Sequence, residues 1–265
     1  MLLTMSEPIK FSIDGEILEP GQAFLPLPDD GLLRGDGVFE VIRVYGGRAF
    51  ELGLHLDRLE KSAAAIDLPT EREQLAADAA SLLGASGHPD CLLRVVQTRA
   101  GRRILTLEPL PVHTETIALA TVTYTPTVIL NGVKSLSYAA NMQATRIAKE
   151  SGAAEALFVR PDGTVLEPPT STIFWATAEG RLRTPSLEAG VLDSITRRKV
   201  VERLEVEEGE FPLDDLLAAS EAFLASTTRE IQPVDRIDDR VFPELPGPET
   251  KAATAAFSRA LAEDL

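Results

Sequence analysis

A lysine, a carboxylate and two groups of hydroxyl residues follow one another along the second half of this chain. Lys134 lies in Gly132-Val133-Lys134-Ser135-Leu136-Ser137-Tyr138, with no acidic residue in the ten positions before it. An ammonium in apolar company loses hydration, which lowers its pKa and makes the amine a usable nucleophile. Most lysines instead lay their stem on apolar neighbours and keep the charge in water, so the weight of Lys134 depends on its companions. Asp162-Gly163-Thr164-Val165-Leu166-Glu167 brings a carboxylate to a strand end, before Pro168, Pro169 and the hydroxyl run Thr170–Thr172. Asp193 or Ser194 then caps a helix through Ile195-Thr196-Arg197-Arg198, whose first N–H groups suit a phosphate. Ser226-Thr227-Thr228 closes a later strand. Singly these are caps and polar turns; together they are a nucleophile, an acid and two anion cradles.

The elements that must position them follow from hydrophobic period and turn residues. Residues 9–18 alternate about Asp14-Gly15, and 38–45 and 48–51 do so about Gly46-Gly47, two hairpins. Leu56, Leu59, Ala63 and Ile66 recur at helical spacing before Pro69, and 71–84 reads as a second helix. Cys91–Glu108 reads as strand, Ala100-Gly101 turn, strand. The proline-bearing stretch 111–116 is placed as a linker between a small N-terminal α/β domain, 1–110, and a larger strand-rich α/β domain, 117–265. In the latter we expect an apolar strand at Thr116–Tyr124, a helix near 138–151 capped by Gly152, and strands near 155–160, 164–167, 172–177 and 181–184. The helix after Ser194, strand Ala222–Ser226, the segment Arg229–Ile237 and a terminal helix complete an α+β fold of two domains.

Composition narrows the function classes. Lys+Arg 26 against Asp+Glu 41 leaves a net charge of −15, which repels nucleic acid and anionic membrane alike. Cys91 is the one cysteine, excluding an intrachain disulfide and a multi-cysteine metal site; it reads as a buried small hydrophobe. His55, His88 and His113 form no pair at metal-ligand spacing, so no metal site is expected. The opening Met1–Lys10 has no cationic region or cleavage site, and no run approaches a membrane span. A cytoplasmic enzyme is the expectation.

Six motifs stand in one order: Gly31-Leu32-Leu33-Arg34-Gly35-Asp36-Gly37-Val38-Phe39-Glu40-Val41, His55-Leu56-Asp57-Arg58, Val133-Lys134-Ser135-Leu136, Asp162–Glu167, Val191-Leu192-Asp193-Ser194-Ile195-Thr196-Arg197, and Ser226–Val234. This order resembles that of the fold-type IV pyridoxal-phosphate enzymes, which include branched-chain aminotransferases, D-amino-acid aminotransferases and aminodeoxychorismate lyases. The resemblance implies pyridoxal 5'-phosphate as cofactor and a homodimer. It implies that Lys134 forms the Schiff base and moves the Cα proton, and that Glu167 pairs with the pyridine nitrogen, keeping the ring a good electron sink. By the same resemblance Arg58 grips the phosphate with its planar fork, joined by Ile195, Thr196 and Thr227, while Tyr138 reaches the phenolic oxygen. Phe39 and Thr228 fall at the substrate.

The chain also departs from the family pattern. Ser194 replaces a usual glycine, Thr172 a frequent asparagine, and Pro168-Pro169 a glycine-containing pair. Arg94, Arg99, Arg102 and Arg103 crowd one hairpin, and we expect Arg99 to hold the substrate carboxylate. Glu40-Val41 resemble the transaminase members, since the lyases tend to carry hydroxyl residues there. An aminotransferase acting on an amino acid or amine and a 2-keto acid is therefore expected. The alternative is an aminodeoxychorismate lyase releasing pyruvate and 4-aminobenzoate; stereochemical preference is not legible.

Overall fold

In a computed structural model, residues 9–87 and 90–265 are described; most of the Met1–Lys10 opening and His88 lie outside the described residues. The chain folds as two units. One comprises the chain up to Val112, the segment Val133–Tyr138 and Asp264–Leu265; the other comprises His113–Gly132 and Ala139–Glu263. The passage after Val112 falls inside the 111–116 stretch. The return of Val133–Tyr138 to the first unit differs from a second domain running unbroken from 117, and it carries Lys134 with it.

In the first unit, Asp14-Gly15 closes the hairpin β1 (Lys10–Ile13) and β2 (Glu16–Leu18). A short helix α1 (Asp30–Arg34), capped by Asp29, leads to β3 (Gly37–Tyr45), and Gly46-Gly47 turn it into β4 (Arg48–Ala49). Helices α2 (Leu52–Ala64) and α3 (Arg72–Ser86) precede the hairpin β5 (Cys91–Thr98) and β6 (Arg103–Glu108). The six strands form one antiparallel sheet, β2-β1-β6-β5-β3-β4. Side chains alternate along a strand, so Val38, Glu40, Ile42 and Val44 share one face of β3. The three aliphatic ones are buried with Leu56, Leu59 and Ala63 of α2. Each such side chain contributes roughly 1.5–3 kcal/mol of burial, which fixes α2 on the sheet. Glu40 stands in the same row, at 0% exposure, and a carboxylate there demands partners.

The second unit is a mixed eight-stranded sheet. Its strands are β7 (Ile117–Thr123), β8 (Glu155–Val159), β9 (Thr172–Ala176), β10 (Leu182–Pro185), β11 (Val206–Gly209), β12 (Glu221–Ser226), β13 (Glu230–Ile237) and β14 (Arg240–Val241). They run β11-β10-β9-β12-β13-β7-β8, with β14 on β13. Helices α4 (Ala139–Glu150), α5 (Ile195–Val201), α6 (Leu213–Leu217) and α7 (Pro248–Asp264) complete it. Trp175, Ile173 and Leu224 are fully buried in its core. The strand expected at 164–167 is instead a pair of isolated bridges, Val159 with Val165 and Thr164 with Pro212. Val165 N donates to Phe211 O while Leu166 N donates to Phe158 O; partners on two segments, then two prolines without N–H groups, leave no ladder to extend.

Candidate functional site

Lys134 is held along the start of β3. Its carbonyl accepts from Phe39 N at 3.0 Å, its N–H donates to Ser62 Oγ at 3.1 Å, and Ser135 bridges Val38. Leu136 N donates to Gly37 O at 2.9 Å. Gly37 is required here by approach rather than dihedral, because a Cβ would sit 2.6 Å from Gln97 O and 2.7 Å from Leu136 Cδ1. The Lys134 ammonium then lies over the Phe39 ring, 4.4 Å from its centroid, and Tyr138 packs edge-on to that ring at 5.4 Å.

Beneath this segment, α2 carries a polar stripe alongside its apolar one. His55, Arg58 and Ser62 are all buried, and successive members lie three or four residues apart on one helix face. Arg58 Nε donates to Glu40 Oε1 at 2.7 Å and Nη2 to Oε2 at 2.6 Å; this is the planar two-point grip that suits a guanidinium to a carboxylate. His55 Nδ1 lies 2.8 Å from Glu40 Oε2. Burial alone would raise the Glu40 carboxyl, but the charge and hydrogen bonds of Arg58, with those of His55, outweigh it and hold the group at about 2. Burial lowers His55, against the pull of Glu40 and with the Arg58 and Lys134 charges acting the same way. A neutral imidazole facing an acceptor-only carboxylate carries its hydrogen on Nδ1.

In the second unit, Glu167 Oε1 accepts the Leu192 N–H at 2.8 Å, which fixes the carboxyl group. Pro169, two residues on, accepts from Asn141 Nδ2 at 3.1 Å. Ser194, not Asp193, caps α5, its side chain accepting from Arg197 N; Asp193 pairs with Arg198 at 2.7 Å. Ile195 and Thr196 form the buried first turn of that helix. Thr227 and Thr228 occupy the turn from β12 to β13, whose base is the pair Ser226 and Glu230. Ser171 Oγ and Thr172 Oγ1 are buried and have no hydrogen-bond partner among the described residues.

Thus the first unit brings together Lys134, Arg58, Phe39 and Tyr138, and the second holds Glu167, Ile195, Thr196, Thr227 and Thr228. Arg99, expected at a substrate carboxylate, has other work. It donates to both oxygens of Asp36 at 3.0 and 3.1 Å, and to the carbonyls of Ile66 and Asp67, each at 2.6 Å. It anchors the chain leaving α2. Of the four hairpin arginines, Arg94 is the one over the Phe39 ring, 5.7 Å from its centroid, and it pairs with Glu108. Glu40, His55 and Ser62 carry no site role in the sequence reading. Their signal is there: an acid in an otherwise aliphatic alternating row, and polar residues in one stripe of an amphipathic helix.

A lysine and a buried arginine in one unit, with a hydrogen-bonded acid and hydroxyl-rich strand-end turns in the other, are the donor set of a pyridoxal-phosphate enzyme. Comparison with known proteins agrees. Residues 37–237 match the family model described as amino-transferase class IV. D-alanine aminotransferase of Bacillus licheniformis is 30% identical over 277 residues, covering 96% of this chain and 97% of its own. Aminodeoxychorismate lyase of Bacillus subtilis is 30% identical over 275 residues, covering 93% of each. The branched-chain aminotransferase of Thermoproteus uzoniensis, a solved structure with norvaline, superposes with a TM-score of 0.88 at 28% identity, covering 97% of this chain and 96% of that one. The chain belongs to the class IV aminotransferases, enzymes of fold type IV that use pyridoxal 5'-phosphate. The residues present fit that cofactor: Glu167 is an acid held by the Leu192 N–H, and the orphaned Ser171 and Thr172 hydroxyls lie in the segment that follows it.

Proposed function

We propose that this chain transfers an amino group between an amino acid or amine and a 2-keto acid, with Lys134 as its catalytic residue. The observation that carries this reading is the fixing of Lys134 at both its backbone N–H and its carbonyl, to α2 and β3, with its ammonium over the Phe39 ring. Bound pyridoxal phosphate supplies the electron sink that makes a Cα proton removable. Lys134 Nζ would hold the cofactor and, as a free amine, would take the Cα proton as general base. Arg58, Ile195, Thr196 and Thr227 would hold the phosphate, with Arg58 oriented by Glu40 through its Nε–Nη2 edge. Glu167 would pair with the pyridine nitrogen, and Tyr138 would reach the phenolic oxygen. Phe39 and Thr228 contact substrate. Homodimerisation in the cytoplasm belongs to the same proposal. The apolar side chains of Phe24 and Leu27, 79% and 73% exposed, support it as surface in need of cover. Among the described residues no helix is long and apolar enough to cross a membrane.

The test is spectroscopic first. Protein loaded with pyridoxal phosphate should absorb in the near-ultraviolet to visible range, and Lys134→Ala should abolish that band while the chain stays folded. A panel of L- and D-amino acids and (R)-amines should then convert the cofactor to its amine form, with 2-oxoglutarate or pyruvate restoring it. Release of 4-aminobenzoate from aminodeoxychorismate without such conversion would establish the lyase instead.

A further inference from the structure

The turn assigned to the phosphate is closed at its base by the strand pair Ser226 and Glu230, and its tip is tied down by side chains. Between β12 and β13, Ser226 Oγ accepts from Arg229 N at a long 3.3 Å, and Glu230 takes φ 55, a left-handed value that costs a side-chain-bearing residue energy. The Arg229 side chain ties the turn to its surroundings. Its Nη2 donates to Glu155 Oε2 at 2.8 Å, and its Nη1 to Gln232 Oε1 at 2.6 Å. His113 Nδ1 lies 3.1 Å from the same Nη1, and Gln232 is oriented in turn by donating to Thr114 O at 2.6 Å. Glu155 is 3% exposed and the Arg229 side chain 14%. In that low-dielectric setting a hydrogen-bonded ion pair is rigid and costly to break.

The other oxygen of Glu155 serves the acid's side of the site. Glu155 Oε1 accepts from Thr170 N at 3.1 Å and from Thr170 Oγ1 at 2.6 Å, and Thr170 lies three residues after Glu167. One carboxylate therefore ties the segment after Glu167 to the turn bearing Thr227 and Thr228. The two segments leave the same end of paired strands, since Thr172 of β9 stands opposite Ala225 of β12. We infer that Arg229 is a positioning residue: through Glu155 it fixes the Ser226–Thr228 turn for the cofactor phosphate, in register with the Glu167 segment. This deepens the reading above and rests on its assignment of Thr227 to the phosphate. Both oxygens of the buried Glu155 are engaged, one by Thr170 and the other by Arg229, so the pair is read as positioning and not as a substrate contact.

Removing Arg229 should loosen the phosphate turn while the Glu167 segment keeps its bonds from Thr170 to Glu155 and from Asn141 to Pro169. The loss should therefore fall on the phosphate's share of cofactor affinity. The apo full chain would be titrated with pyridoxal 5'-phosphate and separately with pyridoxal, which lacks the phosphate. For Arg229→Met we expect affinity for the phosphate form to fall at least about tenfold and affinity for pyridoxal to change less than about threefold. Arg229→Lys keeps the charge but not the fork and should recover part of the loss. Glu155→Gln, which keeps an acceptor for Thr170, should behave like Arg229→Met and serves if that variant does not fold. Equal losses for both ligands, or phosphate-form binding as in the wild type, would overturn the inference while leaving Lys134 and its cofactor untouched. A wild-type chain that takes up no pyridoxal phosphate would overturn the underlying reading, and this inference with it.

Discussion

Glu40→Gln keeps the size of the side chain and removes its charge, so it isolates what the buried acid does. The carboxyl accepts from Arg58 at 2.7 and 2.6 Å and faces His55 at 2.8 Å, at 0% exposure. Its pKa drops from an ordinary 4.5 to about 2, a difference worth about 3 kcal/mol of folding stability at pH 7. Breaking a buried pair from one side independently costs about 3–5 kcal/mol, so about 3 is the figure to test. The sign follows from the direction of the shift. A group depressed in the folded state contributes fully above its unfolded pKa and loses that contribution as pH falls towards its folded one. The gap between wild type and Glu40→Gln should thus be about 3 kcal/mol at pH 7 and about 1 kcal/mol at pH 3. His55, kept neutral by burial, adds acid sensitivity in the same direction below its ordinary value. Urea unfolding of both apo proteins at the two pH values measures the gap. A gap under about 1 kcal/mol at pH 7, or one that does not shrink on acidification, would refute the claim that ionised Glu40 holds Arg58 in place.

Three further outcomes follow from the contacts. Arg99→Met should lower the thermal midpoint by releasing Asp36 and the Ile66 and Asp67 carbonyls, yet leave KM for the keto acid within about twofold, since no uniform substrate binding is lost. Glu221→Ala should destabilise the chain by about 2 kcal/mol, read by chemical denaturation, because the buried Glu221 carboxylate accepts from Glu249 N and Thr250 N, each at 2.9 Å, at the start of α7. Gly247→Ala should cost a comparable amount in the same assay, since the added Cβ would lie 2.4 Å from the Glu221 carboxyl carbon and displace that cap.

Period and turn chemistry carry most of the elements. The Asp14-Gly15, Gly46-Gly47 and Ala100-Gly101 turns close hairpins as written, and the apolar stripe Leu56, Leu59, Ala63 buries α2. What a single sequence hides is pairing between distant segments. The short strand β11 is legible only through its parallel partner β10, since Val206–Gly209 alternates weakly and holds two glutamates. The 164–167 stretch has the composition of a strand but finds its partners on two segments. Arginines divide in the same way. Arg58 is legible through its motif, whereas Arg99 and Arg229 look alike as residues beside a turn, and only their carboxylate partners, Asp36 and Glu155, separate an anchor of α2 from a clamp on the turn between β12 and β13.

The position of Lys134 shows how one helix can set two functional groups at once. Arg58 and Ser62 stand four residues apart on the same buried stripe of α2, Arg58 fixed by Glu40 and Ser62 accepting the Lys134 N–H. On the strand side, Phe39 bonds the Lys134 carbonyl, and its neighbour Glu40 grips Arg58 from the opposite face of β3. Alternation along β3 therefore separates an aromatic wall from an ionic clamp by one residue, and helical period on α2 separates the clamped arginine from the lysine's anchor by one turn. The lysine needs no regular element of its own, because two periods, meeting at Glu40 with Arg58, already fix where it must be. A slip of either period by one residue would carry Glu40 or Ser62 out of that row and lose both groups together.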